Sequence, residues 1–274
     1  MKNLEEELVH SASIDELEIA KCLTENGIGS ISSNVGLTLA CNNNHLGMVK
    51  YLIETEGVDI HAQEDEALIT ASLWGYLDIV EYLVSKGADI HARDDEALIG
   101  ACYYGYLEVV EYLVSQGADV HANNDDAIMY ASVKGHVEVV KYLVSQYGSI
   151  YAQNNMDILE QELVRNSSRG NLDVVELLIE AGADVNARSG EAIIRAVRRG
   201  YLDMVEFLIS KGADVNSQDG RAIIEATIWK CLEIVKLLVN AGVDVNAQNG
   251  KPLNIATKYN NVELMELIKE AGAK

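Results

Sequence analysis

Between Leu107 and Ser115 the apolar residues fall at 107, 109, 110, 113 and 114, with Glu108 and Glu111 between them, so they trace one face of a helix. Just upstream, Glu96 to Tyr103 reads as a second, small-residue helix around Ala101 and Cys102, and Tyr104-Gly105 breaks the chain between the two. Gly117 ends the pair in the left-handed backbone conformation that glycine adopts cheaply, and Asp119 turns the chain onward. The same phrase keeps returning: Gly87-Ala-Asp-Ile-His91, Gly117-Ala-Asp-Val-His121, Gly182-Ala-Asp-Val-Asn186, Gly212-Ala-Asp-Val-Asn216 and Gly242-Val-Asp-Val-Asn246. The register glycines stand at 27, 57, 87 and 117; Tyr147 takes the next slot, and after a five-residue insertion they resume at 182, 212, 242 and 272. A 30-residue period marks a solenoid, whose units bury their apolar faces only against neighbours. The chain is therefore predicted to be an all-α array of about nine helix-turn-helix units.

The run Glu96-Ala-Leu-Ile-Gly-Ala-Cys, followed by Gly105-Tyr-Leu-Glu-Val-Val-Glu-Tyr-Leu-Val and Gly117-Ala-Asp-Val, resembles the ankyrin repeat. Lys251-Pro-Leu-Asn-Ile-Ala, with the only proline, comes nearest to that family's Thr-Pro-Leu-His signature; elsewhere it is worn to Glu-Ala-Leu-Ile or Glu-Ala-Ile-Ile. The short period, the His-Ala or Asn-Ala link and the Tyr-Leu-Val-Ser-Gln-Gly phrase are most similar to repeats encoded by giant DNA viruses of amoebae. Only Ala92-Arg-Asp-Asp95 separates His91 from the next helix, so the β-hairpin fingers that the resemblance implies are expected to be stubs. Recognition then shifts to the concave face of the first helices.

One solenoid over residues 1–274 is expected: a capping repeat at 1–30, internal repeats at 31–247 with the insertion near 152–163, and a capping repeat at 248–274. Glu5, Glu6 and Glu7 at one end, and Glu263, Glu266, Lys269, Glu270 and Lys274 at the other, supply the polar outside that end units need. The insertion, with Met156, Ile158 and Leu159, either lengthens a helix or forms a protruding lip.

Cys22, Cys41, Cys102 and Cys231 lie within helical pattern without paired spacing, and read as buried small apolar residues in a reducing compartment. No apolar run reaches the ~18 residues of a membrane span, and the start lacks a leader pattern, so a cytoplasmic location is expected, the host cytoplasm if the protein is viral. Net charge is −22, unevenly spread: residues 1–155 hold 7 basic and 25 acidic side chains, residues 156–274 hold 14 and 18. Long-range repulsion disfavours nucleic acid and anionic membranes.

In the ankyrin pattern the two residues before the inter-helix glycine face the concave surface. The resemblance thus implies a stripe of Ile14, Asn44, Trp74, Tyr104, Lys134, Arg169, Arg199, Trp229 and Tyr259, with Tyr103 and Arg198 in the neighbouring slot. Arg165 and Arg195 share the face from one turn earlier. At the ~8 to 10 Å spacing of packed helices, Trp74 to Tyr259 would span roughly 50 to 60 Å. About 15 to 18 extended residues fit that length. The candidate partner site is Trp74, Tyr103, Tyr104, Lys134, Arg165, Arg169, Arg195, Arg198, Arg199, Trp229 and Tyr259. Arginine forks suit carboxylate or phosphate, and the aromatics suit anchoring, so an acidic or phosphorylated protein segment is the expected ligand.

His61, His91 and His121 hold the slot that Asn186, Asn216 and Asn246 hold later; the resemblance gives this position a turn hydrogen bond, and metal ligation is not expected. Asn166-Ser-Ser168 matches a glycosylation acceptor by accident, and Gly27-Ile-Gly29 lacks the context of a phosphate-binding loop. No nucleophile, base and orienting group converge, so no enzyme, small-molecule substrate or cofactor is expected. The expected function is a monomeric, non-catalytic protein-protein interaction module. The alternatives are a self-associating scaffold, and an acidic convex surface in units two to five that binds a basic partner.

Overall fold

The computed structural model describes residues 33–146 and 152–273. Ile14, Cys22, Gly27-Ile-Gly29, the N-terminal capping repeat with its glutamates, Tyr147 and Lys274 lie outside the described residues. The chain divides into two compact units, one through Gln146 and one from Tyr147. In the first, helices pair as α1 (Ser33–Asn42) with α2 (Leu46–Glu54), α3 (Ala62–Leu73) with α4 (Leu77–Ser85), α5 (Ala92–Tyr104) with α6 (Leu107–Ser115), and α7 (Ala122–Lys134) with α8 (Val137–Gln146). In the second they pair as α9 (Ala152–Ser167) with α10 (Leu172–Glu180), α11 (Ala187–Arg199) with α12 (Leu202–Ser210), α13 (Ser217–Ile228) with α14 (Leu232–Asn240), and α15 (Ala247–Lys258) with α16 (Val262–Glu270). No strand occurs among the described residues. The architecture is an all-α solenoid of repeats.

The second helix of each pair buries the stripe that its spacing predicts: Ile79, Val80 and Leu83 in α4, Val109, Val110 and Leu113 in α6, Met204, Val205 and Leu208 in α12. Each such side chain contributes about 1.5 to 3 kcal/mol when fully buried. The first helices bury Ala97, Leu98, Ala101 and Cys102 in α5 and their counterparts elsewhere. Small side chains let these helices approach closely, and they stack on one another, α3 on α5 on α7 and α11 on α13 on α15, more extensively than the second helices do. Gly105 (φ 82°) caps α5, and the Gly105 and Tyr106 N–H groups both return to the Ala101 carbonyl at 2.9 and 3.0 Å.

Burial pushes the Cys41 and Cys102 thiols far up, as small core residues require. Cys231 departs from the expectation: it sits at the N-cap of α14, half-buried, in the junction slot that holds Tyr106 and Tyr201 in other repeats. The insertion lengthens a helix, since α9 runs for 16 residues. Asn166 is fully buried within it, its amide donating to the Glu162 carbonyl at 2.9 Å, so the Asn166-Ser-Ser168 motif has no exposed acceptor.

The links between pairs are short, as expected, but their form is not the one the pattern suggests. Arg93, Asp94 and Asp95 are all left-handed (φ 51°, 55° and 59°), so α5 becomes right-handed only after Asp95. The same three-residue turn recurs at 63–65, 123–125, 188–190, 218–220 and 248–250. Left-handed backbone costs a non-glycine residue roughly 1 to 2 kcal/mol. Two different sets of bonds hold the turn.

In the first unit the third residue is aspartate. Asp95 is buried, accepts the Asp119 N–H of the next repeat at 2.9 Å, and contacts His91 Nδ1 at 3.1 Å. An ionised carboxylate only accepts, so Nδ1 carries the proton. Asp65, His61 and the Asp89 N–H repeat the arrangement at 3.1 and 2.9 Å. In the second unit the third residue is Gly190 or Gly220, and asparagine replaces histidine. Asn186 Oδ1 accepts the Asp214 N–H at 2.7 Å and its amide donates to the Gly212 carbonyl at 3.0 Å, and Asn216 does the same with Asp244 and Gly242. A Cβ on Gly190 would collide with the Ser217 side chain, and one on Gly220 with Ala247. The His/Asn exchange noted in the sequence is thus half of a paired exchange, His with Asp or Asn with Gly, that keeps one cross-repeat bond.

Candidate functional site

The slot before the left-handed residue that separates the two helices is exposed in every described repeat: Asn43, Trp74, Tyr104 and Lys134 in the first unit, Arg169, Arg199, Trp229 and Tyr259 in the second. Asn44, which the sequence register puts in this slot, instead takes the place of the glycine itself (φ 61°). The helix stops there, so the side chain at its last turn has nothing packed beyond it. In the first unit Trp74 is 49% exposed and Tyr104 50%. Tyr103 packs edge-on against Tyr104 (4.8 Å between ring centres) and Tyr130 (5.5 Å), and the Lys134 ammonium lies 4.2 Å from the Tyr103 ring centre. These rings are therefore held in place before any partner arrives. Tyr130 is absent from the predicted set, although it stands one turn before Lys134, the offset that marks Arg165 and Arg195.

In the second unit Arg165, Arg169, Arg188 and Arg195 line a cleft of about 280 Å³ together with Gln161, Val164 and Ser168. Three of these guanidiniums have a carboxylate of this chain: Arg165 pairs with buried Glu162, Arg188 with Asp157 at 2.8 Å and Arg195 with Glu191 at 2.6 Å. Arg169 makes no ion pair with any described residue. Each arginine has five N–H donors, so those bound to one carboxylate keep others for the cleft. Arg188 comes from the left-handed turn and not from the stripe, which is why helical spacing does not find it. Arg169 also walls a second cleft, about 360 Å³, with Leu172, Tyr201, Leu202 and Met204.

One repeat further on, Glu225 organises the face. It is 4% exposed; it takes Arg198 at 3.0 Å and Arg221 at 2.7 Å, and the Trp229 indole N–H donates to it at 3.3 Å. Burial pushes its carboxyl up, but hydrogen bonds and charge from Arg198 and then Arg221 outweigh this and hold it below the usual carboxylate value. Arg198 is thereby spent inside the protein, whereas Arg199 projects beside it. Trp229 is 58% exposed yet fixed at its nitrogen, which preorganises an anchor. Glu225 precedes Trp229 by the same single turn that links Arg195 to Arg199, but its type, an acid in a basic and aromatic stripe, gives no sign of its role.

The family model described as Ankyrin repeats (3 copies) matches residues 8–94, 93–157, 163–219 and 196–274. The chain belongs to the ankyrin-repeat family. An ankyrin repeat protein of Acanthamoeba polyphaga mimivirus is 41% identical over 73 residues, 27% of this chain and 24% of its own length, so the likeness spans about a quarter of that protein. The crystal structure of an ankyrin repeat domain from Acinetobacter baumannii AYE superposes with a TM-score of 0.56 at 26% identity, covering 66% of this chain and all of that one. Ankyrin repeats are in general protein-protein interaction modules, and typically non-enzymatic ones. Among the described residues of this ankyrin-repeat protein, no group of three or more His, Cys, Asp or Glu is placed to hold a metal, and no helix is long and apolar enough to cross a membrane.

Proposed function

We propose that this ankyrin-repeat protein is a non-catalytic module that binds a partner protein along the face of its first helices, taking an acidic segment against the arginines and anchoring it on the flanking aromatics. The observation that carries this reading is one of register. Among the described residues four of the five exposed aromatic side chains, Trp74, Tyr104, Trp229 and Tyr259, occupy a single slot of the repeat. Large rings left in water at one recurrent position are anchors for a partner, because such rings dominate binding energy when a partner covers them. Lys134, Arg169 and Arg199 occupy the same slot between them in sequence and supply positive charge on a chain of net charge −22. The protein acts as a monomer in the cytoplasm, that of the host cell if it is virally encoded; buried free Cys41 and Cys102 suit a reducing compartment.

The test is affinity capture from amoebal lysate with the native chain and with a variant carrying Trp74→Ala, Arg169→Glu, Arg199→Glu and Trp229→Ala. Loss of a captured protein from the variant, with its thermal unfolding unchanged, supports the face. Equal capture by both moves the site to the acidic second helices, and self-association of the native chain in sedimentation favours a scaffold.

A further inference from the structure

The proposed binding face contains a more specific feature in the second unit. Arg165, Arg169, Arg188 and Arg195 converge on one cleft of about 280 Å³ with no acidic side chain among its lining residues. We infer that this cleft is a subsite for a phosphorylated side chain of the partner, with an apolar side chain of the same segment lying in the adjoining cleft of Leu172, Tyr201, Leu202 and Met204. This rests on the face being the partner site.

Two features favour phosphate over another carboxylate. Glu162, Asp157 and Glu191 already neutralise three of the four guanidiniums in part, so an incoming carboxylate brings no more charge than the chain itself supplies. A phosphate monoester carries about −1.5 to −2 and three strong acceptor oxygens, enough to engage several guanidinium forks at once. Arg169, which has no carboxylate partner among the described residues, is the guanidinium that gains most from it. The internal pairs also fix the forks before binding: Arg165 is held by a buried carboxylate, and Arg195 by Glu191 at 2.6 Å.

The second cleft shares Arg169 as its wall and is otherwise lined chiefly by Leu172, Met204, Tyr201 (37% exposed) and Leu202 (40%), with Asp203 its one acidic side chain. A guanidinium wall flanked by apolar surface reads a phosphate next to an apolar residue. A nucleic acid fits less well, because its regularly spaced charges would run past the cleft onto Asp157 and Glu191, and Arg198 and Arg221 are already committed to Glu225.

The test uses the full chain and a fluorescein-labelled peptide, Gly-Leu-Asp-phosphoserine-Asp-Leu-Gly, beside its unphosphorylated form, read by fluorescence anisotropy. The phosphopeptide is expected to bind about tenfold or more tighter than the serine form, and inorganic phosphate to compete. Arg169→Gln and Arg195→Gln should each lose about ten- to a hundredfold on the phosphopeptide, the range of a charged hydrogen bond, and lose less on the serine form, so that the preference for phosphate shrinks in both. Leu202→Ser should weaken both peptides alike, and Lys236→Gln, on the second-helix side, neither. Equal affinity for the two peptides overturns the subsite; if both then weaken in Trp229→Ala, the face survives without it. Displacement of the phosphopeptide by an oligothymidylate as readily as by phosphopeptide overturns it in favour of a general polyanion site. No binding of either peptide also overturns it and leaves the face to the capture experiment.

Discussion

Exchanging one repeat's turn from the His-Asp form to the Asn-Gly form tests whether the cross-repeat bond is what holds these left-handed links. Asp95→Gly removes the carboxylate that accepts the Asp119 N–H at 2.9 Å and meets His91 at 3.1 Å. A hydrogen bond to a charged group contributes about 1.5 to 3 kcal/mol. Relief of a left-handed non-glycine residue returns about 1 kcal/mol, so the net loss is about 0.5 to 2 kcal/mol. His91→Asn alone loses the imidazole bond while Asp95 still occupies the Asp119 N–H, at a cost of about 1 kcal/mol. Together, Asn at 91 takes the Asp119 N–H and donates to the Gly117 carbonyl, as Asn186 does with Asp214 and Gly212. The double variant should therefore return to within about 0.5 kcal/mol of the parent, a favourable coupling of about 1 to 3 kcal/mol. Urea unfolding of the four proteins measures it. Additive losses, with coupling under about 0.5 kcal/mol, would refute the idea that the two forms are interchangeable supports for one bond.

Three further outcomes follow from the same geometry. Lys230 holds φ 58° in the slot that glycine fills at Gly105 and Gly200, so Lys230→Gly should stabilise by about 0.5 to 1 kcal/mol, read as a raised thermal midpoint. Gly105→Ala, whose Cβ would lie 2.5 Å from the His136 ring, should cost more than Gly135→Ala, whose Cβ meets open space, although both have positive φ; about 2 to 3 against about 1 kcal/mol in urea melts. The Glu225 carboxyl is held low in the folded state, so its contribution is complete above the ordinary carboxylate value near ~4.3 and fades as pH falls through the lowered one. Glu225→Gln should thus be less stable than the parent at pH near ~7, converge on it only as the pH falls below the lowered carboxyl value, and shift Trp229 fluorescence toward the solvent-exposed wavelength.

The sequence displays the repeat and the second helices to the residue, since Leu107–Ser115 is both the expected and the observed range. Strong periodicity makes that possible: each apolar residue of the stripe has one face to occupy. The left-handed turns are legible only in part: Asp94 and Asp95, like the Asn and Gly at the same places in other repeats, tolerate that conformation better than most residues, whereas Arg93 has no local preference for it. Contacts 24 residues away, between Asp95 and Asp119, stabilise it. Cys231 falls in a helical run of letters but at a junction in space, the N-cap slot that Tyr106 and Tyr201 hold in other repeats. The exposed stripe is readable from register, whereas Arg188 and Glu225 are not, the first because it comes from the turn and the second because an acid in a basic and aromatic face reads as solvated charge until Arg198, Arg221 and Trp229 are seen closing on it.

The central claim, that the partner lies on the first-helix face, is tested most directly by site-specific photocrosslinking. Benzoylphenylalanine would replace Tyr104 or Tyr259 on that face, or Glu81 or Glu206 on the exposed side of the second helices. The account predicts a discrete crosslinked partner from positions 104 and 259 and none from 81 and 206. The same partner crosslinked from 81 or 206, and not from 104 or 259, would contradict it.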